Sequence, residues 1–263
     1  MKIAPFSFLF CAAVVSHAHG ASLAIDLGTA GLFAVLAGST ITNTGPTIIS
    51  GNVGVSPGTA ITGFPPASIG GANTLYSAGA VALQAQNDLT AAYDSAAGQA
   101  CPNTLTGQDL GGMTLVPGTY CFTSTAQLTG TLTLDGLGDA ASVFIFQIGS
   151  SLDTASASTV DLINSAQGGN VFWQVGSSAT LGTTTTFAGH ILALTSISLN
   201  TEASINCGSA LARNGAVTMD TNTISICESA TGGGSDVPEP GTATLLGAGL
   251  LLLGVRHLRR SQS

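Results

Sequence analysis

Three short segments, Ser178-Ala-Thr-Leu-Gly-Thr183, Ser196-Ile-Ser-Leu-Asn-Thr201 and Ala216-Val-Thr-Met-Asp-Thr221, repeat one pattern that decides the fold. In each segment apolar and short polar residues alternate with period 2, which predicts a strand with one core-facing side and one side of small hydroxyls. The copies begin at Ser178, Ser196 and Ala216. These spacings are too short for a βαβ unit and fit one coil of a parallel β-solenoid, in which each coil stacks on the last.

Two apolar segments, Val143-Phe-Ile-Phe-Gln-Ile148 and Val171-Phe-Trp-Gln-Val175, are also copies of each other, with Gln174 in the place of Gln147. Their spacing is longer than that of the Thr-rich copies, which predicts an insertion at residues 164–169 in that coil. Ile191-Leu-Ala-Leu194 and Leu211-Ala-Arg213 take the same place in later coils. We therefore expect residues 21–230 to form a single, mainly β solenoid domain.

Residues 73–97 interrupt the β pattern and predict one long helix. We expect Asn73 or Thr74 to cap its start and Gly98 to end it. Because the segment contains no Lys or Arg, packing along the sheet is favoured over a role at a membrane surface. Its apolar residues form a single stripe in steps of three and four: Leu75, Ala78, Ala82, Ala85, Leu89, Ala92 and Ala96.

Both ends of the chain carry targeting signals. Residues 1–20 have the basic residue, apolar run and small residues of a secretory signal peptide. After a Gly-rich linker at residues 231–236, residues 237–263 contain Pro238-Glu239-Pro240, an apolar run and a basic end. This tail resembles the PEP-CTERM sorting signal of Gram-negative bacteria. The resemblance implies transient inner-membrane anchoring, processing by an exosortase, and release to the cell surface or beyond; a plain C-terminal anchor is the alternative.

Four cysteines remain once Cys11 leaves with the signal peptide. Cys101 and Cys121 have the same separation in the chain as Cys207 and Cys227, and it equals the spacing from Ser196 to Ala216 in the repeats. Since this separation matches the solenoid period, each pair would stack on adjacent coils within disulfide reach. Two disulfides in an oxidising compartment are favoured; a metal site is the rival, although the chain has no CxxC motif.

Charge and side-chain chemistry exclude or disfavour most other functions. Between residues 21 and 235, Arg213 is the only cation against eleven Asp and Glu, which excludes nucleic-acid binding. A catalytic triad would have to use His190, which we expect at the surface or a coil corner. The candidate carboxylate pairs of a carbohydrate-active enzyme, Asp135/Asp139 and Asp153/Asp161, lie mostly beside turn glycines. No cofactor and no metal are expected.

The hydroxyl side of the repeated strands is the remaining candidate surface. Hydroxyls that recur at the coil spacing, about 4.8 Å, come close to the oxygen repeat on several faces of ice. A flat, rigid array of methyl and hydroxyl groups without charge can order water in an ice-like layer. Candidates on the repeated strands are Thr154, Ser156, Ser178, Thr180, Ser196, Ser198 and Thr218.

Several motifs resemble those of the microbial ice-binding proteins built as a discontinuous, right-handed β-solenoid. They are Leu27-Gly-Thr-Ala-Gly31, Gly51-Asn-Val-Gly-Val-Ser-Pro57, Val116-Pro-Gly-Thr-Tyr120, Asn170-Val-Phe-Trp-Gln-Val-Gly176 and Ala210-Leu-Ala-Arg-Asn-Gly-Ala216. The resemblance implies a triangular cross-section with one long α-helix packed alongside. It also implies an out-of-order coil formed by the N-terminal segment and one flat ice-binding face.

The same family often carries a Thr-Ala/Gly-x-Thr/Asn motif on its ice face, which Thr59-Ala60-Ile61-Thr62 matches. Thr59, Ile61 and Thr62 therefore join the candidates. We expect a monomeric, non-enzymatic, secreted or cell-surface protein whose partner is the ice crystal surface. A non-catalytic structural or adhesion module of the cell surface is the alternative, and a carbohydrate-active β-helix enzyme comes third.

Overall fold

The computed structural model describes residues 22–227, which form one compact unit. The predicted signal peptide, linker and sorting segment, at residues 1–20, 231–236 and 237–263, lie outside the described residues. Nowhere in residues 22–227 is a helix both long and apolar enough to cross a membrane.

The unit is built from short parallel strands and one long helix. The α-helix α1 is Ala80–Ala97, and two 3-10 helices are Gly28–Leu32 and Gly168–Asn170. The strands are β1 Phe33–Ala37, β2 Thr40–Thr44, β3 Ile48–Ser50, β4 Asn52–Val55, β5 Ala60–Thr62, β6 Ser68–Ile69, β7 Leu75–Ser77, β8 Asn103–Thr104, β9 Thr114–Leu115, β10 Gly118–Phe122, β11 Ala126–Leu128, β12 Thr131–Asp135, β13 Phe144–Ile148, β14 Leu152–Thr154, β15 Thr159–Ile163, β16 Val171–Val175, β17 Ala179–Leu181, β18 Thr186–Ala193, β19 Ile197–Leu199, β20 Ser204–Ala212, β21 Val217–Asp220 and β22 Thr223–Ser225.

Each full coil contributes one strand to each of three faces, as a triangular cross-section requires. The seven-stranded face has the order β11-β14-β17-β19-β21-β2-β5. The second open face comprises β9, β12, β15, β22, β3, β6 and the first halves of β18 and β20. The helix-covered face comprises β8, β10, β13, β16, β1, β4, β7 and the second halves of β18 and β20.

The predicted coil repeats are confirmed in register. Gln147 pairs with Gln174, as the two apolar copies predict, and Ile191 pairs with Ala210 in the following coils. The extra residues of the long coil contain the turn at Asn164 and the 3-10 helix Gly168–Asn170. The expectation of an out-of-order coil is also confirmed, because β1, β2 and β3 pair with β20, β21 and β22 near the other end of the chain.

The helix begins later than predicted. Residues 75–77, which the apolar stripe placed in the helix, form β7 and pair with β4 on the helix-covered face. The N-cap is Gly79, so Asn73 and Thr74 are wrong as caps, whereas Gly98 ends the helix as predicted. The length of α1 is about 27 Å, and the nine strands of the helix-covered face span about 38 Å. The helix, together with the residues that flank it, returns the chain from β7 at one end of the stack to β8 at the other.

Side chains from the coils hold the helix against its face. The buried helix residues Ala85, Leu89 and Ala92 pack in one cluster with Phe172 and Leu192 of the sheet. Gln147 Nε2 of β13 donates to the carbonyl oxygens of Ala96 and Gln99 at 2.8 and 2.7 Å, which satisfies the end of the helix. Arg213 pairs with Asp94 at 3.4 Å and lies 4.5 Å from the ring centre of Tyr93.

The solenoid interior is apolar and aromatic. Phe146 and Trp173 stack face to face with ring centres 3.9 Å apart, and Tyr120 and Phe187 extend this stack on either side. The Trp173 indole N–H donates to the carbonyl oxygen of Ala188 at 3.1 Å. A buried aromatic ladder that continues from coil to coil fixes the register of the coils, since each ring packs against its neighbours.

The two predicted disulfides, Cys101–Cys121 and Cys207–Cys227, are confirmed. The first joins Cys101, just before β8, to Cys121 in the adjacent strand β10 at one end of the stack. The second joins the end of β22 to β20. All four thiols are therefore bonded and unable to act as metal ligands.

Candidate functional site

The seven-stranded face carries a row of hydroxyls along its centre. The outward residues of consecutive strands are in register, with Thr180 beside Ser198, Ser198 beside Thr218, Thr218 beside Thr42, and Thr42 beside Thr62. Five hydroxyls spaced by about 4.8 Å span roughly 19 Å. Each side chain is exposed or half-buried, so this central row faces solvent.

The alternation in the repeated segments explains why this row points outward. The flanking residues of each strand, such as Ala179 and Leu181 in β17 or Ile197 and Leu199 in β19, are buried in the core. The predicted phase of the three repeats is therefore confirmed. Within the central row, the Thr218 hydroxyl donates to the Ser198 hydroxyl at 3.1 Å, which links neighbouring coils across the surface.

Ser178 and Ser196 form part of a neighbouring row at the edge of the same face. The backbone N–H of Ser196 donates to Ser178 Oγ at 3.3 Å, and that of Ala216 donates to Ser196 Oγ at 3.1 Å. Both serines are half-buried, and each satisfies a backbone donor of the next coil. Their hydroxyls have a structural role in the stack in addition to their place on the surface.

Four predicted candidates lie elsewhere. Thr154 is wrong as a surface candidate, because it points into the core, where its hydroxyl lies 2.9 Å from that of Thr185 and accepts from the Gly182 N–H at 2.8 Å. Ile61 is half-buried and packs against the core. Ser156 is exposed in the turn after β14, at a corner of the solenoid. Thr59 is exposed immediately before β5.

Carboxylates flank the central row. Asp153 pairs with Thr180 at one end of the five hydroxyls. Asp220, one row to the side, accepts from the hydroxyls of Thr201 at 2.6 Å and Thr221 at 3.0 Å. The hydrogen bond from Thr201, followed by that from Thr221, lowers the pKa of Asp220. Both charges lie outside the run from Thr180 to Thr62, so that run is uncharged.

The second open face also carries a row of hydroxyls, which lies at its edge and not at its centre. The residues are in register but each is the first residue of its strand, so they lie along the corner next to the seven-stranded face. They are Thr131, Thr159, Thr186, Ser204 and Thr223. In this row Thr223 is followed by Ile48, which is 56% exposed. The row has as many hydroxyls in register as the central row, but it lies at an edge of its face.

Sequence reasoning missed this corner row and Thr42. Thr159, Thr186, Ser204 and Thr223 recur at the spacings of the coils themselves, and each is followed by a buried apolar residue. That regularity was the available signal. For Thr42 the signal was the alternation in Thr40-Ile-Thr-Asn-Thr44, but its neighbour Thr218 is distant in the chain.

His190 is buried, and the expectation of a surface or corner histidine is wrong. It lies within β18, its ring stacks on Phe172 with centres 5.6 Å apart, and its Nδ1 lies 2.7 Å from the hydroxyl of Ser209. Desolvation lowers its pKa to about 4. At neutral pH the ring is therefore neutral and shielded from any substrate. Among residues 22–227, no group of three or more His, Cys, Asp or Glu side chains is placed to hold a metal ion.

Comparison with protein families gives two matches. Residues 35–225 match the model of the family described as ice-binding-like, and residues 236–260 match the PEP-CTERM protein-sorting motif. An ice-binding protein of Nostoc sp. (strain HG1) is 53% identical over 240 residues, covering 90% of this chain and 88% of that protein. An ice-binding protein of Flavobacterium frigoris (strain PS1) is 37% identical over 215 residues, covering 77% of this chain and 76% of that protein.

Solved structures are similar along most of the chain. The crystal structure of an ice-binding protein from an Antarctic biological consortium superposes with a TM-score of 0.75 at 43% identity, covering 86% of this chain and 96% of that one. The DUF3494 domain of Shewanella frigidimarina ice-binding protein 1 superposes with a TM-score of 0.70 at 31% identity, covering 79% and 99%.

Proposed function

Since the chain belongs to the ice-binding-like family, we propose that it binds ice and inhibits ice growth and recrystallisation. The ice-binding surface is the seven-stranded face, with Thr180, Ser198, Thr218, Thr42 and Thr62 at its centre. One observation carries this proposal: five successive coils present a hydroxyl at the same central position without an intervening charge.

The physical basis is the order of the surface. Each central hydroxyl belongs to a strand of the parallel sheet and is paired in register with the neighbouring strand, so its position is fixed by hydrogen bonds between the coils. Thr side chains add a methyl group beside each hydroxyl, and a rigid methyl and hydroxyl array can hold water in an ice-like layer. A mobile or charged surface would disrupt that layer. The helix-covered face is buried beneath α1 and is not available to ice.

The proposed function is that of a monomer without catalytic activity that acts outside the cell. The match to the sorting motif supports exosortase processing and transient inner-membrane anchoring in a Gram-negative bacterium. The buried, uncharged His190 supports a non-enzymatic role, because a general base must be able to reach its substrate.

The test compares single Tyr substitutions on the three faces of the protein comprising residues 21–235. Thr180→Tyr and Ser198→Tyr place a bulky ring in the central row and should abolish both ice-crystal shaping and recrystallisation inhibition. Thr186→Tyr on the second open face and Val81→Tyr on α1, where Val81 is 49% exposed, are the matched controls and should stay active. Thermal unfolding should change little in all four variants, because each side chain reaches solvent.

Three outcomes would contradict the proposal in different ways. If Thr186→Tyr abolishes activity while Thr180→Tyr and Ser198→Tyr do not, the second open face is the binding surface. If the unmodified protein neither shapes ice crystals nor inhibits recrystallisation, a non-catalytic surface or adhesion module is the better description. Release of sugar from a polysaccharide by the purified protein would instead support the carbohydrate-active alternative.

A further inference from the structure

The point where the chain leaves the domain is fixed by the Cys207–Cys227 disulfide. After β22, on the second open face, the chain reaches Cys227. Cys207 lies at the irregularity in β20, between the half that pairs on the second open face and the half that pairs on the helix-covered face. Cys227 therefore lies at the edge between these two faces.

A second contact confirms this position. The 3-10 helix Gly168–Asn170 precedes β16 at the same edge, and a Cβ placed on Gly169 would come within 3.1 Å of the Cys227 sulfur. In a triangular cross-section, the edge between two faces lies opposite the third face. The exit at Cys227 is therefore on the side of the solenoid opposite the seven-stranded face.

The sorting motif follows this exit closely in the sequence. The segment from Cys227 to Pro238 is short, and even fully extended it spans at most about 40 Å. The stack itself is roughly 38 Å long on its nine-stranded, helix-covered face. A domain held through residue 238 stays within little more than its own length of the support, so the side that carries the attachment decides which face remains accessible.

We propose that the domain binds ice while it is held through its C-terminal segment, with the seven-stranded face turned away from the attachment. The inference rests on the proposed function and adds a mode of use: the protein joins an ice crystal on one side to a surface on the other. Its two partners are the ice lattice and whatever surface retains the C-terminal segment.

The disulfide also allows the C-terminal end of the domain to withstand a pulling force. β22 is a short strand, Thr223–Ser225, and a strand of that size is held by few backbone hydrogen bonds. A pull applied beyond Cys227 passes through the disulfide into β20, which is three times as long and pairs with β18, β1 and β22. The pull is therefore borne by a long interior strand instead of peeling β22 from the stack.

The experiment attaches the same domain to beads in three orientations. Residues 21–235, which include the whole compact unit, carry one biotin after Ser235, or on a cysteine introduced by Thr42→Cys or Val81→Cys. Beads of equal protein density are flowed over a single ice crystal. Beads attached after Ser235 should be retained as well as beads attached through position 81 on the helix. Beads attached through position 42 should be retained about tenfold less, because attachment there prevents the face from engaging.

The outcomes separate this inference from the function on which it rests. If beads attached after Ser235 are retained as poorly as those attached through position 42, while the free protein inhibits recrystallisation, attached use is wrong and the function stands. If the free protein is inactive as well, the proposed function fails.

The double variant C207S/C227S tests the load path: it should act normally when free but release beads attached after Ser235 at a lower flow rate. Release at an unchanged flow rate would show that the disulfide does not carry the load.

Discussion

Removing the Cys207–Cys227 disulfide should destabilise the domain by an amount that the chain separation sets. Its cysteines have a sequence separation of 20, and closing a loop of that length in the unfolded chain is worth about 3 kcal/mol in the chain-entropy model. For a domain of this size, a loss of about 1 kcal/mol shifts the melting temperature by about 2–4 °C. The double variant C207S/C227S should therefore melt roughly 6–12 °C below the parent protein.

The Cys101–Cys121 disulfide provides the matched control, since its cysteines have the same separation. Loop entropy alone predicts the same loss of unfolding free energy for C101S/C121S. This disulfide, however, closes the terminal coil containing β8 and β9, which can fray without opening the rest of a solenoid. We therefore expect C101S/C121S to lower the global free energy of unfolding by less than C207S/C227S does.

Circular dichroism during heating and during denaturant titration measures both losses. Double Ser variants are used so that no unpaired thiol is left, and addition of a reductant to the parent protein provides an independent comparison. A loss below about 1 kcal/mol for C207S/C227S would refute the loop-entropy estimate. A larger loss for C101S/C121S than for C207S/C227S would refute the assignment of the first disulfide to a coil that frays on its own.

Two further predictions concern side chains on the helix-covered side. Arg213→Ala should lower the free energy of unfolding by about 1–2 kcal/mol, through loss of packing over Tyr93 and of the partly exposed ion pair with Asp94. Asp94→Asn, at a 67% exposed side chain, should lower it by less than about 0.5 kcal/mol. Equal losses for the two variants would show that the ion pair, and not the packing over Tyr93, is the larger contribution. His190 has a folded pKa of about 4 against an ordinary value of 6.5, so the unfolded chain takes up a proton below pH 6.5 that the folded protein does not bind until about pH 4. The stability linked to His190 is therefore complete above pH 6.5 and is lost as the pH falls, by roughly 3 kcal/mol at pH 4. His190→Asn should flatten this part of the profile of unfolding free energy against pH. An unchanged profile would show that another group is responsible.

The features that the sequence predicted well depend on local periodicity. The alternation around Thr180, Ser198 and Thr218 has one phase that buries apolar residues, so the outward side follows directly. Thr154 was misassigned because the strand Leu152–Thr154 is too short to show its phase, and burial of Leu152 puts Asp153, not Thr154, outside. The helix start was misplaced for another reason: residues 75–77 fit an apolar helical stripe, but pairing with β4 makes them a strand. Local propensity yields to such tertiary pairing.

The length of the central row depends on long-range closure, which periodicity alone does not reveal. The three repeats supply Thr180, Ser198 and Thr218, a row of roughly 10 Å. Strands β2 and β5, from the beginning of the chain, add Thr42 and Thr62 and nearly double this length. They can do so because the C-terminal coil pairs with the N-terminal one on all three faces: β20 with β1, β21 with β2, and β22 with β3. The disulfide at the end of β22 therefore stabilises the junction on which the full row of five hydroxyls depends, while lying on the opposite side of the solenoid from that row.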